Sequence, residues 1–67
     1  MAITLKAARI NKQMKQKDAA RALEVSIDTL SNWENGKTYP DVPHIKKIEG
    51  LYGVPYGDLD FYPETSV

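Results

Sequence analysis

The sequence predicts an all-α domain of five short helices, and three observations lead there. Apolar residues recur at three- and four-residue spacing, no segment alternates as a half-buried strand does, and capping or turn residues punctuate the chain at short intervals. With 67 residues there is room for one domain and one small core. No internal repeat or low-complexity segment is present.

Thr4 is placed to cap the first helix, which turns Leu5 and Ala8 inward and runs to about Gln13. In "MKQKDAARALEV" the apolar residues Ala19, Ala20 and Leu23 share one side, so a second helix spans roughly Gln16 to Leu23. Only Glu24 and Val25 separate it from Ser26, the N-cap of a third helix that closes at Asn35-Gly36. So short a connection makes the two helices cross steeply. Asp41 caps a fourth helix, Pro43 suits its first turn, Ile45, Ile48, Leu51 and Tyr52 form its apolar side, and Gly53 ends it. Gly50 inside that helix costs about 1 kcal/mol relative to alanine, which leaves close packing or local slackening as its reason. "PYGDL" reads as one further helical turn. The domain is expected to occupy residues 1–61, with residues 62–67 as a tail.

Composition removes several classes of function. There is no cysteine, which excludes disulfides and thiolate metal sites, and His44 has no second histidine to share a metal. No metal and no cofactor are expected. The usual nucleophile–base pairs cannot be assembled and glycine-rich phosphate loops are absent, so the chain is not read as an enzyme. No apolar run approaches the roughly 18 residues of a membrane helix, and "MAITLKAARI" is too polar for a signal peptide, so no membrane partner is expected. Nine basic and nine acidic residues cancel, but they are segregated. Lys6, Arg9, Lys12, Lys15, Lys17 and Arg21 meet only Asp18 in the first third, whereas Glu49, Asp58, Asp60 and Glu64 follow Lys47. A local basic face is compatible with that distribution.

The stretch "VSIDTLSNWENGK" carries the functional signal. On a wheel of about 100° per residue, Trp33, Glu34 and Ile27 fall within about 60° of Leu30. Asp28, Asn32 and Asn35 gather near the opposite pole, with Ser31 at their edge. A stripe of short hydrogen-bonding side chains without lysine or glutamate is an odd choice for a merely solvated face.

These residues, with "YPD" and "LYGV" after them, resemble the Cro/C1-type helix-turn-helix domain of phage repressors and bacterial regulators. The resemblance covers residues 5 to 59 and keeps the family's spacing throughout. It implies a lambda-repressor-like fold with the helix-turn-helix at about residues 16–35, in a cytoplasmic protein of bacterial or phage origin. Two positions depart from the pattern. Glu24 stands where the turn usually has glycine, and Lys15 where a capping threonine is common.

What the resemblance implies is sequence-specific binding of a double-stranded DNA operator by a transcriptional regulator, a repressor by expectation. The second helix would lie across the backbone while the third offers base contacts in the major groove. Gln16 matches a phosphate-touching glutamine. Ile27, Asp28 and Asn32 match base-reading positions, and Ser26, Ser31, Asn35, Lys37 and Tyr39 match positions that hold sugar and phosphate. Arg9 and Glu34 match a structural ion pair. Asp28 has a second reading as a helix-dipole partner, and Ile27 as a flank of the core. A homodimer on two half-sites is expected. Leu59, Phe61 and Tyr62 form either its interface or a segment folded back on the core. The alternative function is a protein-interaction module, antitoxin-like or a polymerase or sigma partner. A DNA-binding fragment of a longer repressor is a third view.

Overall fold

Capping chemistry decides where the helices start. The computed structural model describes residues 2–61; Met1 and residues 62–67, which include the expected tail and Tyr62, lie outside the described residues. Helix α1 (Leu5–Asn11) begins at Thr4, whose hydroxyl accepts from the Ala7 N–H at 3.1 Å. Helix α2 (Gln16–Leu23) begins at Lys15, which supplies no side-chain acceptor, as its residue type requires. Helix α3 (Ile27–Glu34) begins at Ser26, which accepts from the Thr29 N–H at 3.0 Å. Helix α4 (Val42–Tyr52) begins at Asp41, which accepts from the His44 N–H at 3.0 Å.

Helix ends share one device. Met14 N–H donates to the Arg9 carbonyl, Val25 to Ala20 and Lys37 to Asn32, at 3.2, 3.0 and 2.9 Å. Each closure passes through one left-handed residue: Gln13 (φ 57°), Glu24 (φ 62°) and Gly36 (φ 74°). Only Gly36 adopts it without crowding a Cβ; the other two cost on the order of 1 kcal/mol each. This closure also corrects the first helix, expected to reach about Gln13. It ends at Asn11, because Gln13 turns left-handed so that Met14 can bond back to Arg9.

The expected count of five helices is corrected to four. "PYGDL" forms a single 3-10 turn, Tyr56–Asp58, rather than an α-helix. Strand structure, not foreseen, is limited to β1 (Ile3–Thr4) and β2 (Leu59–Asp60), which pair in parallel with Ile3 opposite Leu59 and Thr4 opposite Asp60. This clip ties the start of the domain to its end.

The core gathers Leu5 and Ala8 from α1, Ala19, Ala20 and Leu23 from α2, Leu30 and Trp33 from α3, Ile48 and Tyr52 from α4, and Leu59. Leu5, Leu23, Leu30 and Ile48 are fully enclosed, each contributing about 1.5–3 kcal/mol through burial. Leu59 therefore folds back on the core, and Phe61 rests half-buried against it. Gly50 is not a close-packing device: a Cβ added there meets nothing within 4 Å. Among the described residues, no helix is long and apolar enough to cross a membrane, and no cluster of metal-ligating side chains occurs.

Candidate nucleic-acid interface

Burial of Leu30 and Trp33 fixes how α3 faces the rest of the molecule. With that side locked into the core, Ile27, Asp28 and Asn35 are exposed, and Ser31 and Asn32 are half-buried. Trp33 is 5% exposed, its ring 5.4 Å from the His44 ring, so it belongs to the interior. Ile27 is 48% exposed, which overturns its reading as a flank of the core. It occupies the first position of α3, one turn ahead of Leu30, where the helix has not yet entered the interior.

Hydrogen bonds sort the polar residues further. The Ser26 hydroxyl caps α3 and donates to Thr29 Oγ1 at 2.9 Å, so its first role is local. Asn35 Nδ2 donates to Ser31 Oγ at 3.4 Å, one turn back along the same face. The Asn32 carbonyl accepts from Lys37 and Thr38 N–H at 2.9 and 3.4 Å, which sets the exposed Lys37 and Tyr39 beside the end of α3. The exposed cations Lys15, Lys17 and Arg21 belong to α2 and its cap. The outward residues of α3 include none.

One buried carboxylate joins three helices. Arg9 Nε and Nη2 donate to Glu34 Oε2 and Oε1 at 2.7 and 3.3 Å, and Arg9 Nη1 donates to the Met14 carbonyl at 2.9 Å. Gln16 Nε2 also donates to Glu34 Oε1, at 3.1 Å. The same glutamate thus pairs with α1 and orients the amide at the start of α2, leaving that amide a second N–H. At the same helix start Lys15 gives no side-chain cap, and the Asp18 N–H donates to the Lys15 carbonyl at 3.1 Å, which leaves the N–H groups of Gln16 and Lys17 as the outward donors of the first turn. The bond between Gln16 and Glu34 went unread in the sequence, since no periodicity links residues on different helices.

Local electrostatics are simple. Hydrogen bonding to Lys47 Nζ at 2.7 Å, with the charge of that lysine, lowers the Glu24 carboxyl. Bonds from the backbone and ring of His44 lower Asp41. Burial, aided by the Glu34 charge and opposed by Arg9, pushes the Tyr52 hydroxyl up to about 12.

Two helices joined by a left-handed turn, the second with its inner face buried and its outer face wet, define a helix-turn-helix domain. A family model described as helix-turn-helix matches residues 5–59, and the chain belongs to that family. A similar curated protein is the HTH-type transcriptional activator BcrR of Enterococcus faecalis, 34% identical over 55 residues. The match covers 82% of this chain and 27% of the relative, so the chain spans about a quarter of that protein's length. No solved structure matches.

Proposed function

We propose that this domain binds duplex DNA and reads its sequence in the major groove with α3, as the DNA-binding element of a transcription regulator. The observation that carries the reading is the outward stripe of Ile27, Asp28, Asn32 and Asn35 on a helix whose opposite face Leu30 and Trp33 lock into the core. An α-helix fits that groove, and the base edges displayed there differ for each base pair. Asn32 suits adenine, the Asp28 carboxylate suits the amino group of cytosine, and the exposed Ile27 suits a thymine methyl. Ser31, Asn35, Lys37 and Tyr39 serve sugar and phosphate, with Ser26 contributing beside its cap. At the start of α2, the second side-chain N–H of Gln16 and the backbone N–H groups of Gln16 and Lys17 suit a phosphate oxygen.

One helix reads only a few base pairs, so useful affinity favours two copies on half-sites one helical turn, about 34 Å, apart. The domain supplies an address and not a sign. The relative is described as an activator, and we assign activation or repression to where the operator lies relative to the promoter.

A second reading, a protein-interaction module, draws on zero net charge and on the lack of any cation among the outward residues of α3. A salt titration on random duplex separates the two. The DNA reading expects affinity to fall steeply with salt as counterions are released, with a slope of about −0.9 per phosphate neutralised. Negligible duplex binding at low salt supports the other. Selection from a random duplex pool then recovers the operator, with two-fold symmetry if two copies act together.

A further inference from the structure

Asp28 is isolated electrostatically on the reading helix. Its carboxylate is exposed in the first turn of α3, and among the described residues no ion pair includes it. Ser31 and Asn32, one turn further along the same face, carry no charge. The last turn of α3 has no basic residue, and the exposed cations Lys15, Lys17 and Arg21 belong to α2 and its cap. Lys47 is engaged elsewhere: its Nζ lies 2.7 Å from the carboxylate of Glu24, at the turn between the two helices.

Such a group is a poor choice for a surface that gains affinity from phosphates. In the major groove it faces the negative charge of both strands and gives up hydration. One kind of edge offsets that cost. Cytosine presents its N4 amino donor with no acceptor on the same base. Adenine sets N7 beside its N6 donor, guanine offers N7 and O6, and thymine offers O4. The carboxylate therefore meets an acceptor on every base except cytosine.

Resting on the DNA-reading proposal, we infer that Asp28 is a rejecting element. It selects cytosine at one base pair by penalising the other edges, and it lowers the affinity of the domain for duplex in general. Attraction resides in the cations of α2 and in the exposed Lys37, and discrimination in the first turn of α3. A helix-dipole role, open to any acid in a first turn, makes no such demand on DNA. Removing an attractive contact weakens binding to every sequence. Removing a rejecting group strengthens binding to the sequences it rejected.

Fluorescence anisotropy across a salt titration, on random duplex and on a duplex selected by the wild-type chain, reads both effects. On random duplex, Asp28→Asn and Asp28→Ala should each bind about three- to tenfold more tightly than wild type at low salt, with a salt slope steeper by about 0.9. The ratio of selected to random affinity should fall at least about tenfold. Selection from a random pool with Asp28→Ala should leave one cytosine of the wild-type site unconstrained. With Asp28→Asn, whose amide suits adenine, it should admit adenine there. Glu49→Gln removes the same charge from α4 and should change random-duplex affinity by less than about twofold. Because Asp28 is exposed, both of its variants should keep the helical circular dichroism of wild type. Asp28 variants that bind random duplex no more tightly than wild type, or that keep its selectivity, overturn the inference and leave DNA binding standing. So does an equal gain from Glu49→Gln. A wild-type chain that binds no duplex at low salt brings down the DNA proposal, and the role of Asp28 with it.

Discussion

Replacing Arg9 with methionine should remove most of the stability of this domain. The Arg9 side chain is 11% exposed and that of Glu34 4%, and two bonds of 2.7 and 3.3 Å join them in a fork. The substitution keeps the apolar stem but leaves the Glu34 charge enclosed, with the Gln16 amide as its remaining polar partner. Breaking such a pair from one side costs about 3–5 kcal/mol. It also removes the Arg9 Nη1 donor from the Met14 carbonyl, a bond of 2.9 Å. A chain of 67 residues has roughly 3–10 kcal/mol in total, so the variant should be largely unfolded or have its Tm lowered by at least about 15 °C. The double replacement Arg9→Met with Glu34→Leu removes both charges and should recover most of the loss. Urea unfolding followed by helical circular dichroism measures both variants and their coupling. A single replacement costing under about 1 kcal/mol, the value of an exposed pair, refutes the reasoning. A double replacement no more stable than the single refutes it equally.

Further outcomes are expected in stability and in DNA binding. Gly50→Ala should stabilise by about 0.5–1 kcal/mol in the same unfolding assay, because helix propensity improves and the added Cβ meets open space. Tyr52→Phe should change stability at neutral pH by less than about 1 kcal/mol, because the buried hydroxyl has no hydrogen-bond partner. Its alkaline behaviour should differ more: the folded-state value is raised from 10.0 to about 12, so wild type keeps its full stability below 10 and loses it as pH rises towards 12, whereas the Tyr52→Phe profile is flatter there. Ala20→Leu should overpack the interior and cost roughly 1–3 kcal/mol in thermal unfolding. On a selected operator, Asn32→Ala should cost about 1–3 kcal/mol and relax preference at one base pair, whereas Lys37→Ala should weaken every sequence alike and flatten the salt slope by about one unit.

Helix starts were legible because capping is local. Thr4, Ser26 and Asp41 carry the acceptor and the position together, so the type of one residue fixes one boundary. Ends were legible where glycine closes them, at Gly36 and Gly53, and less so at Gln13, whose type gives no hint of a left-handed backbone. The paired strands escaped notice since two residues have no period to display. Ile27 sat ambiguously on the wheel, because an angle does not say how soon a helix enters the core; its exposure does. At the site, the stripe on α3 was visible as an arrangement of short polar side chains. The bond from Gln16 to Glu34 joins residues 18 apart on crossing helices, and only their packing brings them together.

The central claim is that the outward face of α3 enters a DNA groove. Backbone amide chemical shifts recorded while a selected duplex is titrated into the labelled chain test it most directly. The expected shifts concentrate at residues 16–17, 26–35 and 37–39, with the interior around Leu5 and Ile48 little changed. Shifts confined to α4 and the 3-10 turn, with residues 27, 28 and 32 unmoved at saturating duplex, contradict the claim.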